Sequence, residues 1–132
     1  MADDTPNPIK KILRCSLRNF EYFYGQQSEQ FIFYRIPKAL FTDKRFFSMS
    51  YGAKLLYGLM LDRMGLSQKE GWFDKQNRVY IYFTLDEIME RLHCAKEKAS
   101  KLMSELGFIG LIEIKRQGLG KPNIIYVKDF AS

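Results

Sequence analysis

The sequence predicts a domain of the α+β class, in which a helical core is followed by a C-terminal β-hairpin. Three observations predict it: amphipathic helical periodicity over residues 50–65, two adjacent helical segments over residues 84–106, and two alternating segments that flank a glycine-rich loop. A single domain of 132 residues buries roughly two-thirds of its unfolded surface. We therefore expect one folded domain at residues 31–132 and an N-terminal extension at residues 1–30.

The N-terminal extension begins with polar residues and continues with an aromatic cluster. Residues 1–8 contain two prolines, which predicts disorder at the start, and the apolar residues of segment 9–17 lie near helical spacing. The aromatic residues either complete the core of the domain or form a dimerisation arm against a second copy of the chain. The residues assigned to that arm are Phe20, Tyr22, Phe23, Tyr24, Phe31 and Phe33.

The sequence of the middle of the chain predicts a long helix between two short strands. Residues 31–37 read as a strand that Pro37 stops, followed by one or two helical turns. Ser50 can cap the start of the long helix, and Gly65 is positioned to end it. Residues 78–83 are β-branched and aromatic, which predicts the second strand.

Two further helices are predicted close together. Thr84 and Glu87 have the spacing of a capping box at the start of a short helix over residues 84–93. The next helix spans residues 94–106 and is expected to end at Gly107. With one or two residues between them, the two helices form a helix-turn-helix.

Residues 111–117 and 123–128 alternate apolar and polar side chains on either side of the loop GLGKP. This pattern predicts a β-hairpin whose loop is too long and too basic for a tight turn. A hairpin directly after a helix-turn-helix makes the predicted fold a winged helix-turn-helix.

The second helix of the predicted helix-turn-helix has two distinct faces. One face is apolar and is expected to pack on the core: Ala95, Ala99, Leu102, Met103 and Leu106. The other face carries short or flexible polar side chains, which can donate hydrogen bonds to phosphates and to base edges in a DNA major groove. A charged helix face is more often simply solvated, but its place in a helix-turn-helix favours DNA contact. The candidate DNA-binding residues on this face are Lys96, Lys98, Ser100, Lys101 and Ser104.

The glycine-rich loop does not have the sequence of a nucleotide-binding loop. Such a loop needs GxxxxGK[ST] between a strand and a helix, so that backbone N–H groups converge on phosphates. Here one residue separates the glycines, Pro122 stands at the Ser/Thr position, and a strand follows. We therefore interpret the loop as a wing whose cations lie against a DNA backbone. The candidate contacts are Lys115, Arg116, Gln117, Lys121 and Asn123.

The composition argues against several other classes of protein. A net charge of +6 favours polyanionic partners. With one histidine and two distant cysteines, the chain is expected to bind no zinc or other metal, to need no cofactor, and to reside in the cytoplasm. It contains no leader peptide, no membrane-spanning apolar run and no recognisable pair of nucleophile and base, so we expect neither export nor catalysis.

Four sequence blocks occur in a distinctive order. They are FYRIPKALFTDKRFFSMS, AKLLYGLMLDRMGLS, the stretch GWFDKQNRVYIYFTLDEIMERLHCAKEKASKLMSELG, and IGLIEIKRQGLGKPNIIYVKDF. Over about residues 31–130 the chain resembles the N-terminal domain of RepA-type plasmid replication initiators of Gram-positive bacteria. The resemblance implies a winged-helix domain that binds repeated sites of a plasmid replication origin as a dimer and so initiates plasmid replication. It places the recognition helix at residues 94–106 and the wing at residues 116–123.

Members of this family are longer, and their C-terminal domain is expected to recruit host replication proteins. Because this sequence stops at Ser132, the resemblance implies that it is the DNA-binding part of an initiator. Two alternatives remain open at this point: a winged-helix transcriptional regulator, and a winged-helix module that binds protein through its aromatic N-terminal segment.

Overall fold

The computed structural model describes residues 20–25 and 32–132. The contacts between residues divide the chain into two units, with the boundary between Ile32 and Phe33. The described part of the first unit, residues 20–25 and Ile32, contains no helix or strand, whereas the second unit carries all the described helices and strands. The predicted helical segment at 9–17 lies outside the described residues, and the division into 1–30 and 31–132 stays a prediction.

Residues 33–132 contain a helical core followed by a hairpin, which confirms the predicted α+β architecture. The helices are α1 (Ala39–Thr42), α2 (Tyr51–Glu70), α3 (Leu85–Leu92) and α4 (Lys96–Ile109), with a short 3₁₀ helix (Lys44–Phe46) between α1 and α2. Strands β1 (Ile112–Lys115) and β2 (Ile124–Val127) pair antiparallel.

Helix α2 begins where the sequence predicts and ends later. The Ser50 hydroxyl accepts a hydrogen bond from the Ala53 N–H at 3.2 Å, as expected of a cap. Gly65 was the wrong end, because the helix continues to Gly71, which takes a left-handed conformation with φ 78°. A glycine inside a helix costs only about 1 kcal/mol relative to alanine, so it does not by itself end a helix.

Helix α4 is also shifted from its predicted bounds. It does not end at Gly107 but runs to Ile109, and Gly110 with φ 94° supplies the left-handed end. The extra turn allows Ile109 to pack against the hydrophobic core. At the other end, Ala95 is the exposed N-cap residue and not part of the buried face.

The two predicted strands outside the hairpin are largely absent. In segment 78–83 only isolated bridges form, of which Ile81 to Ile125 has both hydrogen bonds at 2.9 Å. The described part of segment 31–37 has no strand. It crosses α2 closely, since a Cβ at Gly58 would lie 3.0 Å from Ile36 Cγ1. Packing on a helix therefore replaces strand pairing for this segment.

The hydrophobic core lies between α2, α3, α4 and the hairpin. Its fully buried side chains include Leu40, Leu56, Tyr57, Met60, Ile81, Ile88, Leu106 and Ile125. The Tyr57 hydroxyl donates a hydrogen bond to the Lys128 carbonyl, and its ring meets Phe130 edge-on at 6.3 Å. The C-terminal residues are thereby part of the packed domain.

Candidate nucleic-acid interface

An open groove of about 460 Å³ lies between α4, the start of α3, and the wing, by which we mean β1, β2 and the loop of residues 116–123. We call it the α4–wing groove. Its lining combines polar and apolar residues. The polar residues are Thr84, Asp86, Lys96, Ser100, Ser104 and Asn123, and the apolar residues are Phe83, Leu85, Met103, Ile114, Pro122 and Ile125.

The rotation of α4 about its own axis is fixed by its contacts with α2. Glu105 accepts two hydrogen bonds from Ser50, one from the backbone N–H at 2.6 Å and one from the hydroxyl at 2.7 Å. The two helices approach closely, because a Cβ at Gly52 would lie 2.9 Å from a methyl carbon of Leu102. These contacts hold the anchored face of α4 against α2 and leave Lys96, Ser100 and Ser104 at the groove.

The start of α3 is held beside the groove by a hydrogen-bonded network. The predicted capping box is confirmed: the Glu87 N–H donates to the Thr84 hydroxyl at 3.2 Å, and the Thr84 N–H donates to the Glu87 carboxylate at 3.3 Å. Arg63 of α2 pairs with the same carboxylate and donates to the Tyr82 carbonyl at 2.7 Å. Burial acts to raise the pKa of Glu87, but the hydrogen bonds from Arg63 and Thr84 outweigh it and lower the pKa. The carboxylate therefore stays charged within this network.

The predicted helix-turn-helix is present, and the connection between α3 and α4 consists of three residues, His93 to Ala95, where one or two were predicted. His93 ends α3 in a left-handed conformation with φ 52°, and its N–H donates to the Met89 carbonyl. The Cys94 N–H donates to the same carbonyl at 3.2 Å.

Within the described residues, no group of three or more potential metal ligands occurs, and no helix is long and apolar enough to cross a membrane.

The loop of the wing is held in a defined conformation. The Gln117 side-chain amide donates to the Pro122 carbonyl at 2.7 Å and closes the base of the loop. At its tip the Lys121 N–H donates to the Gly118 carbonyl at 3.3 Å. Gly118 and Gly120 have φ of 117° and 78°, which side chains with a Cβ rarely adopt. The two glycines are therefore required by backbone conformation.

The outer face of the hairpin is braced by the loop that follows α2. Asp74 in this loop accepts a hydrogen bond from the Tyr126 hydroxyl at 3.0 Å and pairs with Arg78 at 2.8 Å. The backbone N–H of Arg78, together with the other hydrogen bonds, lowers the pKa of Asp74 to about 2. The ionised carboxylate of Asp74 is thus hydrogen-bonded to β2 of the wing through Tyr126.

The structure brings four of the sequence-predicted residues together and leaves six apart. Lys96, Ser100, Ser104 and Asn123 line the α4–wing groove. The other candidates are exposed but lie outside its lining: Lys98, Lys101, Lys115, Arg116, Gln117 and Lys121.

The residues that line the groove but were not among the candidate DNA-binding residues include Asp86, Met103 and Ile114. Met103 was assigned to the core; it packs against the core half-buried and also lines the groove. The alternation of Ile112 and Ile114 could have indicated a shared face, since Ile114 pairs with Ile125, which also lines the groove.

Of the aromatic residues assigned to a dimerisation arm, five lie among the described residues and all five are exposed. They are Phe20, Tyr22, Phe23, Tyr24 and Phe33. Phe31 lies outside the described residues. The assignment of these side chains to a dimer contact stays a prediction.

The helical core, the tight turn before α4 and the hairpin define a winged-helix domain. The chain belongs to the family described as "Replication initiator protein A (RepA) N-terminus", whose model matches residues 32–132. This confirms the resemblance found in the sequence. A curated relative, the "41 kDa protein" of Lactobacillus helveticus, is 35% identical over 92 residues, which cover 70% of this chain and 26% of that protein. The chain thus spans about a quarter of the relative's length.

Three solved structures have the same fold. "N-Terminal domain of DNA binding protein" is 36% identical with a TM-score of 0.69, and "Structure of Rep-DNA complex" is 37% identical with a TM-score of 0.69. Both matches cover 83% of this chain and 84% of the other. "Structure of MDR initiator" is 28% identical with a TM-score of 0.66, covering 83% and 86% of the two chains.

Proposed function

We propose that this chain binds duplex DNA sequence-specifically at repeated sites of a plasmid replication origin, as the non-enzymatic DNA-binding part of a replication initiator. The observation that carries the proposal is the α4–wing groove, where Lys96, Ser100 and Ser104 of the anchored helix share a lining with Asn123 of the wing, whose cations are exposed. Membership of the replication initiator family supports it, as does the similarity to a relative whose solved structure is titled as a complex with DNA.

In the proposed complex, α4 enters the major groove and the wing lies over the neighbouring backbone and minor groove. Lys101 and Ser104 are exposed on α4 and can hydrogen-bond base edges. Lys96 and Ser100 of α4 share the lining of the α4–wing groove with Asn123 of the wing and can hold the sugar–phosphate strand that runs between helix and wing. The wing cations supply counter-charge to further phosphates.

The exposed aromatic residues favour a further proposal, that the protein binds DNA as a homodimer. Phe20 and Tyr22 are 83% and 81% exposed, and an isologous contact between two copies would cover them. Sedimentation of the chain with and without residues 1–30 tests this proposal. A monomer in both cases, on and off DNA, would reject it.

The experiment that tests DNA binding is a fluorescence-anisotropy titration of an origin repeat against a scrambled duplex at several salt concentrations. We expect tight binding to the repeat alone, and log affinity should fall with log salt by about 0.9 per neutralised phosphate on B-DNA. Lys101→Ala should reduce the preference for the repeat. Lys121→Ala should weaken both duplexes alike and reduce the salt slope by about one unit.

The matched control is Lys44→Ala, which removes the same charge from an exposed lysine in the 3₁₀ helix, outside the lining of the α4–wing groove. It should change neither the preference nor the slope. Equal, weak and salt-independent binding of the repeat and the scrambled duplex would refute the proposal. If Lys101→Ala and Lys121→Ala both behaved like the control, the contact surface would lie elsewhere on the domain.

A further inference from the structure

The tip of the wing presents an apolar side chain. Leu119 lies between Gly118 and Gly120 and is 104% exposed relative to a reference leucine. The hydrogen bond from the Lys121 N–H to the Gly118 carbonyl closes a four-residue turn around it. The positive φ of Gly120, the third residue of this turn, fits a type II turn and places Leu119 at the outer corner.

The fold gains nothing from this leucine, yet the loop holds it in place. The Gln117 to Pro122 hydrogen bond closes the base of the loop, and Pro122 restricts its backbone further. A leucine side chain becomes stabilising only when apolar surface is removed from water. Because no contact within the domain covers Leu119, a partner must do so if the side chain is to contribute.

The surroundings of Leu119 favour duplex DNA as that partner. Arg116 and Lys121 are exposed cations on either side of the tip, and phosphates are the groups that they attract. The flanking glycines lack side chains, so the backbone of the tip can lie close to a sugar–phosphate chain. An apolar side chain cannot hydrogen-bond a base edge, but leucine is one of the side chains that proteins insert between base steps from the minor groove.

We infer that Leu119 enters the minor groove next to the site that α4 reads and partly unstacks one base step. This inference rests on the proposed function, because it requires α4 to place the wing on a duplex. It also adds to specificity: unstacking costs least at flexible pyrimidine–purine steps. The origin repeat should therefore carry a TA or CA/TG step beneath the wing, roughly half a helical turn from the bases that α4 contacts.

The test uses origin-repeat duplexes with the fluorescent base 2-aminopurine placed at successive steps beneath the wing. Its fluorescence rises when the base is unstacked. With the wild-type chain at saturation, we expect an increase at one step. Leu119→Ala and the nearly isosteric, polar Leu119→Asn should abolish that increase and weaken binding by at most roughly 10-fold, because the unstacking cost that they avoid offsets part of the value of burying the leucine. Leu119→Met keeps an apolar wedge and should retain both.

Two further readouts separate this inference from the proposed function. The salt slope should be the same for Leu119→Ala and the wild type, since no charge is lost, whereas Lys121→Ala should reduce the slope and retain the fluorescence increase at saturation. Circular dichroism should show Leu119→Ala and Lys121→Ala both folded, because the side chains of Leu119 and Lys121 are exposed. If the wild type binds the repeat but Leu119→Ala gives the same fluorescence increase, or the wild type gives none at any step, the wedge is refuted and DNA binding stands. If the wild type does not bind the repeat, the proposed function itself has failed.

Discussion

Replacing either of two glycines near the end of α4 by alanine should have opposite effects on the free energy of unfolding. Gly107 is helical and exposed, and a Cβ built on it meets no atom within 4 Å. Gly110 follows three residues later with φ 94°, and its N–H donates to the carbonyls of Gly107 and Leu106. Alanine should therefore stabilise the domain at the first position and destabilise it at the second.

The magnitudes follow from the two backbone conformations. Alanine is preferred over glycine inside a helix by about 1 kcal/mol, so Gly107→Ala should raise the free energy of unfolding by about that amount. A side chain in the left-handed region costs about 1–2 kcal/mol, so Gly110→Ala should lower it correspondingly. The two variants should thus differ by about 2–3 kcal/mol although each adds the same single methyl group.

Urea unfolding followed by far-ultraviolet circular dichroism measures both free energies, and thermal unfolding gives an independent order. For a domain of this size each kcal/mol moves the melting temperature by about 4–8 °C. If Gly110→Ala were the more stable variant, α4 would end at Gly107, as the sequence pattern alone suggests, and the observed bounds of α4 would be wrong.

Three other predictions concern the contacts that position the site. Glu105→Ala should lower the free energy of unfolding by about 2 kcal/mol or more and weaken DNA binding, since Ser50 loses two charge-assisted hydrogen bonds. Glu105→Gln can still accept one of them, so its free energy of unfolding and its DNA affinity should lie between those of the wild type and Glu105→Ala. Burial raises the pKa of Tyr57 to about 12, so the folded state keeps a proton that the unfolded state loses near pH 10. The free energy of unfolding should therefore fall between pH 10 and 12 by about 2–3 kcal/mol more in the wild type than in Tyr57→Phe. Hydrogen bonds lower the pKa of Asp74 to about 2, so stability should fall as the pH drops from about 4 to 2, and an unchanged acid profile in Asp74→Asn would contradict this.

Much of the fold could be predicted because local signals and tertiary structure agree. The Ser50 cap, the capping box of Thr84 and Glu87, and the alternation on both sides of the wing loop each depend on residues close in sequence. The tight connection between α3 and α4 then specified a helix-turn-helix. These features need no knowledge of long-range contacts, and all of them are present in the structure.

The errors arose where tertiary contacts decide between acceptable local states. Gly65 and Gly107 were both read as helix ends, because glycine is the commonest residue at that position. Which glycine takes the left-handed conformation depends on packing that follows, such as that of Ile109 on the core. In the same way, segment 78–83 has strand-forming residues, but the rings of Tyr80 and Tyr82 pack on Trp72 and only Ile81 pairs with β2.

The candidate site could be predicted in composition but not in arrangement. The polar residues of α4 and the basic wing were visible in the sequence, whereas the α4–wing groove depends on how the hairpin folds back towards α4. That long-range placement puts Asn123 and Ser100 in the lining of one groove and adds Asp86 from α3. Helical periodicity cannot show a face that is shared by three separate elements.

The contact between Glu105 and Ser50 has a consequence for how this domain can change its DNA target. One carboxylate, directed towards α2, fixes the rotation of α4, while the side chains of Lys101 and Ser104 are exposed to solvent. If α4 reads base edges as proposed, holding the helix and reading the bases are tasks of different residues. Substitutions at the exposed positions would then alter the preferred sequence without weakening the attachment of the helix. Domains built in this way can differ in the DNA sequence they prefer while keeping the contact that holds the helix.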